Sequence, residues 1–192
     1  MARTYTLKRR AEQQAETRLR IVEAAVELHG TLGPAHTSIS MVAERAGVQR
    51  HTFYAHFPTE RDLLLACSAL SLERSPLPDP EPWRRIEDRA RRLRLGLGEI
   101  YAWYERNAAL AGCVLRDAEQ HDLTKEIAGL RYGPYMTAYQ DVLGAGLNAK
   151  QRAMLQLALS FFTWRTLAQD GHLKRAAAIT VMVQAIAGAN QA

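Results

Sequence analysis

Apolar residues recur three or four positions apart through most of the chain, and this spacing is typical of amphipathic helices. From about Glu16 the inward positions predict a first helix that ends near His29-Gly30. From Trp83 to Tyr104 the steps again alternate between three and four, which predicts a helix of about six turns. The pattern predicts an all-α fold, and the abundance of Ala, Leu, Arg and Glu agrees with it.

Two short helices joined by a tight turn are predicted in the N-terminal part of the chain. Ser38 is a good N-cap for the first of them. Gly47 lies where the chain must reverse, because glycine adopts left-handed backbone angles at little cost. In the second short helix, Phe53 and Phe57 lie four positions apart on the buried side. Such a pair is typical of a helix held in position to enter a DNA groove.

The outward face of the second short helix consists of hydrogen-bond donors and aromatic residues, with no acid among them. Gln49 is expected to cap this helix. The outward residues are Arg50, His51, Thr52, Tyr54 and His56. An arginine can bond O6 and N7 of guanine together, whereas hydroxyl groups and a histidine ring can hold phosphate oxygens. This face therefore suits the major groove of DNA.

The string GVQRHTFYAHFPTERDLL, residues 47–64, resembles the signature of the tetracycline-repressor (TetR) family of bacterial transcriptional regulators. In that family a G-V-S-x-x-T-x-Y-x-H-F core precedes a hydrophobic pair, and roughly residues 15–70 fit the pattern. The resemblance implies a three-helix DNA-binding domain with a helix-turn-helix, followed by a helical ligand-binding and dimerisation domain. About nine helices are expected in all.

The resemblance also implies the roles of individual residues. The positions that usually hold the DNA backbone carry Thr52, Tyr54 and His56, and those that often read bases carry Arg50 and His51. Glu60 stands where the family usually has Lys or Arg, and Arg61 is expected to supply that basic contact instead. The predicted DNA contacts are Thr37, Ser38, Ser40, Gln49, Arg50, His51, Thr52, Tyr54, His56 and Arg61.

The proline-rich stretch 75–82 is the clearest boundary in the sequence, because prolines at alternate positions cannot sustain a helix. It predicts a DNA-binding domain over residues 1–74, with a basic N-terminal arm and the start of the connecting helix, and a regulatory domain over residues 75–192. Residues 1–14 are basic from Arg3 onward. They are either a solvated tail or an arm that lies in the minor groove.

Aromatic residues cluster around Gly133-Pro134, where a predicted helix is expected to be interrupted or kinked. Aromatics at helical spacing either form core or line a cavity for a small molecule. A cavity beside a kinked helix would let a ligand transmit movement, as the resemblance implies. The candidate pocket residues are Trp103, Tyr104, Asp117, His121, Tyr132, Tyr135, Met136 and Tyr139.

The last two predicted helices, residues 148–169 and 173–187, are apolar on nearly every side. Asn148 with Gln151 opens the first of them through a capping box. Such helices need cover on both sides, and a second copy of the chain is the simplest cover for one of them. The alternative is two central core helices of a monomer. The predicted interface residues are Leu155, Ala158, Phe162, Arg165, Val181, Met182 and Ala185.

Composition and charge limit the partners and the cellular location that the sequence predicts. The net charge of +5 and the pI near 9.5 fit a polyanionic partner. Arginines between Arg84 and Arg94 are interleaved with acids, which favours a solvated helix surface over a second nucleic-acid site. The polar start MARTYTLKRR argues against secretion, and residues 176–192 form an uncharged run too short to span a membrane. A cytoplasmic protein with Cys67 and Cys113 buried and reduced is expected.

Catalytic signatures are not found in the sequence. We find no nucleophile with a nearby base, no H-x-x-x-H or C-x-x-C, and no glycine-rich phosphate loop. No enzyme activity, cofactor or metal is therefore expected. The predicted function is a repressor that binds a palindromic operator as a homodimer and is released by a small-molecule effector. An activator, or a sequence-indifferent DNA-binding protein of the same fold, is the alternative.

Overall fold

Helices form all the regular structure in the part of the chain that is described. The computed structural model describes residues 2–189, with side chains from residue 8 onward. The α-helices are α1 (Ala2–Thr31), α2 (Ile39–Arg45), α3 (Arg50–His56), α4 (Glu60–Arg74), α5 (Glu81–Arg84), α6 (Arg89–Asp117), α7 (Asp122–Leu143), α8 (Ala149–Leu159), α9 (Phe161–Arg165) and α10 (Arg175–Gly188). The all-α prediction is confirmed, with ten α-helices where about nine were expected.

The chain divides into two compact units. The first comprises residues 1–74 and 112–128, and the second comprises residues 75–111 and 129–192. Helices α6 and α7 therefore each contribute residues to both units. The predicted domain boundary between residues 74 and 75 stays a prediction, but the sequence pattern gave no indication that residues 112–128 pack with the first unit.

The core of the first unit is built from the apolar faces of α1 to α4. Ile21 and Ala25 of α1 are fully buried, as are Phe53 and Phe57 at α3. Leu63 of α4 closes the cluster. Each fully buried large apolar side chain contributes ~1.5–3 kcal/mol, so this core holds the short helices α2 and α3, which would not be stable alone.

Helix α1 is longer than its apolar pattern predicts. It extends from Ala2 to Thr31, whereas a start near Glu16 was expected. Residues 8–16 are exposed on every side, so no apolar stripe marks this part of the helix. Lysine, arginine, alanine, glutamine and glutamate nevertheless favour helix by propensity. The side chain of Arg3, where the predicted arm begins, lies outside the described residues.

The second unit also departs from the predicted helix boundaries. Helix α6 begins at Arg89 and continues without a break to Asp117, whereas the apolar pattern predicted a helix from Trp83 to Tyr104. The Asn107 side chain does not cap a helix but donates to the Ser75 hydroxyl and to the carbonyl of Trp103. Helix α7 likewise continues through Pro134, so the helix does not end there, and the alternative, a kink at Gly133-Pro134, stays a prediction.

A break at Ser160 separates α8 from α9, where one helix to Gln169 was expected. The predicted capping box of Asn148 and Gln151 does open α8. Ser160 has extended backbone angles, φ −70° and ψ 131°, and its hydroxyl caps α9 by accepting from the N–H of Phe162. A π-helical turn, Thr166–Asp170, then follows α9. The stretch predicted as one helix thus forms two α-helices, α8 and α9, and a π-helical turn.

Two tyrosines of α6 satisfy carbonyls that the break leaves without helical partners. In a continuous helix, the carbonyls of Ala158 and Leu159 would accept from N–H groups four residues on. Instead the hydroxyl of Tyr101 donates to Ala158 O at 2.9 Å, and that of Tyr104 to Leu159 O at 2.6 Å. Burial raises the pKa of both hydroxyls, so they stay protonated donors.

We expect Tyr101→Phe and Tyr104→Phe each to lower the free energy of unfolding by about 1–3 kcal/mol, because each leaves a buried carbonyl without its donor. Chemical denaturation followed by circular dichroism would measure this loss. Tyr135→Phe is the matched control, since the Tyr135 side chain is 38% exposed. Equal stability of all three variants would show that these hydrogen bonds do not hold the break.

Candidate nucleic-acid interface

The turn between α2 and α3 has the geometry that the sequence predicts. The Ser38 hydroxyl accepts from the N–H of Met41 and caps α2. Gly47 has φ +64°, the left-handed angle expected of it. The N–H of Val48 then donates to Ala43 O at 2.9 Å and closes the turn. These bonds fix the direction in which α3 leaves α2.

The outer face of α3 is exposed while its inner face is buried. Phe53 is fully buried and anchors the helix to the core. Arg50 and His51 are exposed, and the Tyr54 side chain is 42% exposed with its ring edge-on to Phe53. Thr52 and His56 are half-buried beside them. The predicted recognition face thus presents a basic and hydrogen-bonding surface on a rigid support.

Gln49 occupies the N-cap position of α3 but does not cap it with its side chain. Its backbone angles, φ −73° and ψ 151°, are those of a cap residue, yet no side-chain cap hydrogen bond forms. The predicted position is therefore right and the predicted bond is wrong. The exposed Gln49 amide is available for other contacts.

The residues predicted to contact DNA at the start of α2 differ in their surroundings. Ser38 and Ser40 are exposed. Thr37 is half-buried, and its hydroxyl donates to Gly33 O at 2.8 Å. Thr37 therefore stabilises the preceding turn and keeps only acceptor capacity at its hydroxyl for another partner.

Arg61 pairs with an acid of α7. Its Nε and Nη2 atoms donate to Glu126 Oε1 at 3.2 and 2.7 Å. Both side chains are about half exposed, so the pair contributes little to stability. The expectation that Arg61 supplies the basic contact missing at Glu60 stays a prediction, since a pair this exposed leaves the guanidinium accessible to another anion. Sequence spacing could not reveal the pair, because its two members are 65 positions apart.

One basic residue next to α3 is not apparent from the sequence pattern. The guanidinium of Arg18, on the exposed side of α1, lies over the Phe57 ring with its Cζ atom 4.4 Å from the ring centroid. A cation–π contact of this kind orients an arginine without neutralising it. Arg18 therefore adds an oriented positive charge beside the end of α3.

Asp117 and His121 belong to the first unit, whereas the aromatic residues predicted for the same ligand pocket belong to the second. The Asp117 carboxylate accepts from the N–H of Ala35 at 2.9 Å. His121 Nδ1 lies 2.7 Å from the Thr124 hydroxyl at the start of α7. Both side chains therefore serve the packing of the DNA-binding unit.

Of the other predicted pocket residues, Trp103, Tyr104 and Tyr139 are buried aromatic residues of the second unit. Trp103 Nε1 donates to Ser75 O at 3.0 Å, and the Tyr139 hydroxyl donates to Pro78 O at 2.7 Å. Tyr132 packs edge-on against Trp103, and burial raises its pKa. Met136 is half-buried and Tyr135 exposed. These contacts favour the core interpretation, because backbone carbonyls already satisfy the polar atoms of Trp103, Tyr104 and Tyr139.

A cleft of about 620 Å³ lies elsewhere in the second unit. Apolar and polar side chains both line it, and the polar ones are Glu87, Asp88, Arg89 and the buried Arg92 and Gln151. The apolar lining includes Leu93, Leu147, Val183 and Ile186. No predicted pocket residue lines this cleft. Sequence reasoning missed it because its walls come from four separate segments of the chain.

The residues predicted for a dimer interface fall into two groups. Leu155, Ala158 and Met182 are buried within their own unit, so they have no surface to offer to a second copy. Phe162 and Ala185 are half-buried, whereas Arg165 and Val181 are exposed. Leu157, absent from the prediction, is 53% exposed on α8.

No group of three or more His, Cys, Asp or Glu side chains is arranged to hold a metal ion among the described residues. None of the helices described is both long and apolar enough to cross a membrane. Cys67 is buried and Cys113 half-buried, and both are free thiols. Burial raises the pKa of the Cys67 thiol to about 12, so it is unreactive at neutral pH.

An exposed basic helix, α3, follows a capped helix and a glycine turn, and this arrangement is a helix-turn-helix. The class of protein that it defines is a DNA-binding transcriptional regulator. Residues 21–67 match the family model described as "Bacterial regulatory proteins, tetR family". The resemblance predicted from the motif is thereby confirmed over residues 21–67, which match the DNA-binding domain of tetR-family regulators. No curated protein is similar enough to the sequence to count as a match.

Solved structures of regulators share the fold at low sequence identity. The fatty acid degradation regulator FadR from Bacillus halodurans is 18% identical, with a TM-score of 0.63 over 90% of this chain and 95% of that one. FadR from Bacillus subtilis, solved in complex with stearoyl-CoA, is 17% identical, with a TM-score of 0.59 over 90% and 97%. A TetR-like transcriptional regulator from Rhodococcus sp. RHA1 is 16% identical, with a TM-score of 0.63 over 90% and 94%.

His29 gives the first unit a pH-dependent stability. It is 5% exposed on α1, and desolvation lowers its pKa from 6.5 to about 4, although Asp117 opposes this shift. The unfolded chain therefore binds a proton between pH 6.5 and pH 4 that the folded chain does not. The stabilisation is complete above pH 6.5 and is lost as the pH falls towards 4.

We expect wild type to lose roughly 3 kcal/mol more than His29→Gln on acidification from pH 7 to pH 4, at 1.36 kcal/mol per pKa unit. Denaturant unfolding at a series of pH values would measure the difference. The exposed His51, replaced by glutamine, is the control and should follow wild type. Parallel curves for wild type and His29→Gln would contradict the assignment.

Proposed function

We propose that this protein is a transcriptional repressor that binds a palindromic operator as a homodimer and is released by a small-molecule effector. The observation that carries the proposal is the outer face of α3, where Arg50 and Tyr54 are exposed on a helix anchored by the buried Phe53. The proposal places the protein in the cytoplasm, where its DNA target lies. An activator of the same fold would use the same face.

Exposed apolar side chains on α8 and α10 support the homodimer. Leu157 is 53% exposed and Val181 is 42% exposed, and both lie in the second unit. Exposed apolar surface is often buried in interfaces, and an interface that uses the same surface on both copies has two-fold symmetry. A two-fold dimer places two recognition helices about 34 Å apart, one duplex turn, and so selects a palindrome.

The cleft in the second unit supports a small-molecule effector. Its volume of about 620 Å³ is within the range that accommodates small ligands. The B. subtilis FadR structure, which has the same fold, holds stearoyl-CoA. We propose that an effector with apolar character binds the second unit and shifts the protein towards a state with lower operator affinity. A ligand produces such a shift only through its different affinities for the two states.

We expect Arg50→Ala to weaken operator binding by about 1–3 kcal/mol, because a bidentate contact to guanine is worth that much. Tyr54→Phe should weaken it by a smaller factor, since it removes one hydrogen bond to phosphate. Fluorescence anisotropy on a duplex selected from the DNA upstream of the gene would measure both. The matched controls are Arg94→Ala and Tyr135→Phe, exposed residues of the second unit.

Unchanged affinity for both α3 variants would remove the recognition-face assignment. Footprinting on the same fragment separates the alternatives, because a sequence-indifferent DNA-binding protein would protect no discrete palindrome. A reporter gene under the same promoter then distinguishes repressor from activator. Loss of the protein raises expression in the first case and lowers it in the second.

We expect Leu157→Asp and Val181→Asp to convert the dimer to monomer, because each places a charge in an apolar interface. Sedimentation velocity over a range of protein concentrations would measure the shift. Leu130→Asp is the control, since Leu130 is 54% exposed on α7. A wild-type protein that sediments as a monomer at high concentration would contradict the dimer proposal.

A further inference from the structure

The turn that leads into α2 is held by a side chain from the far end of α6. A short 3₁₀ helix, Pro34–His36, occupies this turn. The N–H of Ala35 donates to Asp117 Oδ2 at 2.9 Å. The two residues are 82 positions apart and lie in the same unit. A carboxylate that accepts from a backbone N–H forms one of the stronger kinds of hydrogen bond in proteins.

The Asp117 carboxylate is buried and fully engaged. Its side chain is 2% exposed, and Arg116 Nε donates to its second oxygen, Oδ1, at 2.8 Å. His36 Nδ1 lies 3.8 Å from Oδ2, and the buried His29 is close enough to interact electrostatically. Because a buried charge is costly unless it is paired and hydrogen-bonded, these partners fix the carboxylate in one position.

The chain also leaves no spare room around this carboxylate. Gly33 has φ +101°, and a Cβ atom added there would overlap the Asp117 side chain. The Arg116 Nη2 atom donates to Leu32 O at 2.7 Å, just before the turn. Gly33 thus packs closely against the Asp117 side chain, and the N–H of Ala35 donates to the same carboxylate.

The turn sets the start of the helix-turn-helix. Thr37 bonds back to it twice, through its N–H to Pro34 O at 3.2 Å and through its hydroxyl to Gly33 O at 2.8 Å. Ser38, the next residue, caps α2. Any displacement of the turn therefore moves the start of α2, and with it the exposed residues Ser38 and Ser40.

We propose that Asp117 is a positioning residue for DNA binding: its carboxylate holds the 33–37 turn in the conformation from which α2 and α3 meet DNA. The inference rests on the proposed DNA-binding function and adds to it a residue that lies outside the helix-turn-helix. Asp117 acts through Ala35 and contacts no base or phosphate.

Three variants separate the hydrogen bond from the charge. Asp117→Ala removes the acceptor for Ala35. Asp117→Asn keeps one acceptor oxygen but turns an amide N–H₂ group towards the Arg116 guanidinium. Both of these groups are hydrogen-bond donors, so they cannot bond to each other. Adding Arg116→Ala to Asp117→Asn removes that conflict and lets the amide oxygen face Ala35. Arg116→Ala alone controls for the lost bond to Leu32 O.

Operator affinity is measured by anisotropy at a temperature where circular dichroism shows every variant folded. We expect Asp117→Ala to lose about tenfold or more, the equivalent of one charge-assisted hydrogen bond. Asp117→Asn should lose affinity as well, and the double variant should recover most of what Asp117→Asn loses. If Asp117→Ala does not fold, the proposal is tested by comparing the operator affinities of Asp117→Asn and the double variant. Equal affinity of these two variants overturns the proposal.

Hydrogen exchange separates positioning from general stabilisation. Asp117→Ala should speed exchange at the Ala35 amide while the core amides of α1 keep their protection at that temperature. Ile21→Val, a core change that leaves the turn intact, is the matched control and should leave operator affinity unchanged when folded. Wild-type affinity in folded Asp117→Ala overturns the proposal. If Arg50→Ala also binds the operator with wild-type affinity, the result contradicts the proposed DNA-binding function and not only the role of Asp117.

Discussion

The rings of Phe53 and Phe57 are fully buried among side chains of α1, α2 and α4. Helix α3 has seven residues, too few to be stable in water by itself. Its conformation therefore depends on these two rings, which also determine which side of the helix faces solvent. Arg50 and Tyr54 are exposed as a consequence. The same burial supplies the surface on which Arg18 is oriented, since its guanidinium lies over Phe57.

A second constraint recurs in both units: a backbone group left without a helical partner is satisfied by a side chain of α6. Asp117 accepts from the N–H of Ala35, and Tyr101 and Tyr104 donate to the carbonyls freed at Ser160. Arg92 donates to the carbonyls of Ile86 and Ala145. Buried backbone groups must be paired, so each irregular turn requires such a partner. Helix α6 supplies all four of these side chains.

The low identity to solved regulators of the same fold is consistent with this division of roles. A fold of packed helices tolerates many apolar substitutions if volume and pattern are kept. The polar side chains that hold irregular turns depend on the particular turn. The shared fold by itself therefore does not imply Asp117, Tyr101 or Tyr104.

Local patterns in the sequence determined the helix-turn-helix, because its signals lie within a few residues of one another. The Ser38 cap, the left-handed Gly47 and the Phe53–Phe57 pair could all be predicted, as could the capping box that opens α8. Long-range packing decided the rest. Ala35, which donates to Asp117, is 82 positions away from it, and Glu126 is 65 positions away from Arg61. The carbonyls of Ala158 and Leu159 at the Ser160 break accept from hydroxyls 57 and 55 positions away. The period of apolar residues indicates which side of a helix is buried. Which polar groups far apart in the sequence form hydrogen bonds is decided only when the helices pack.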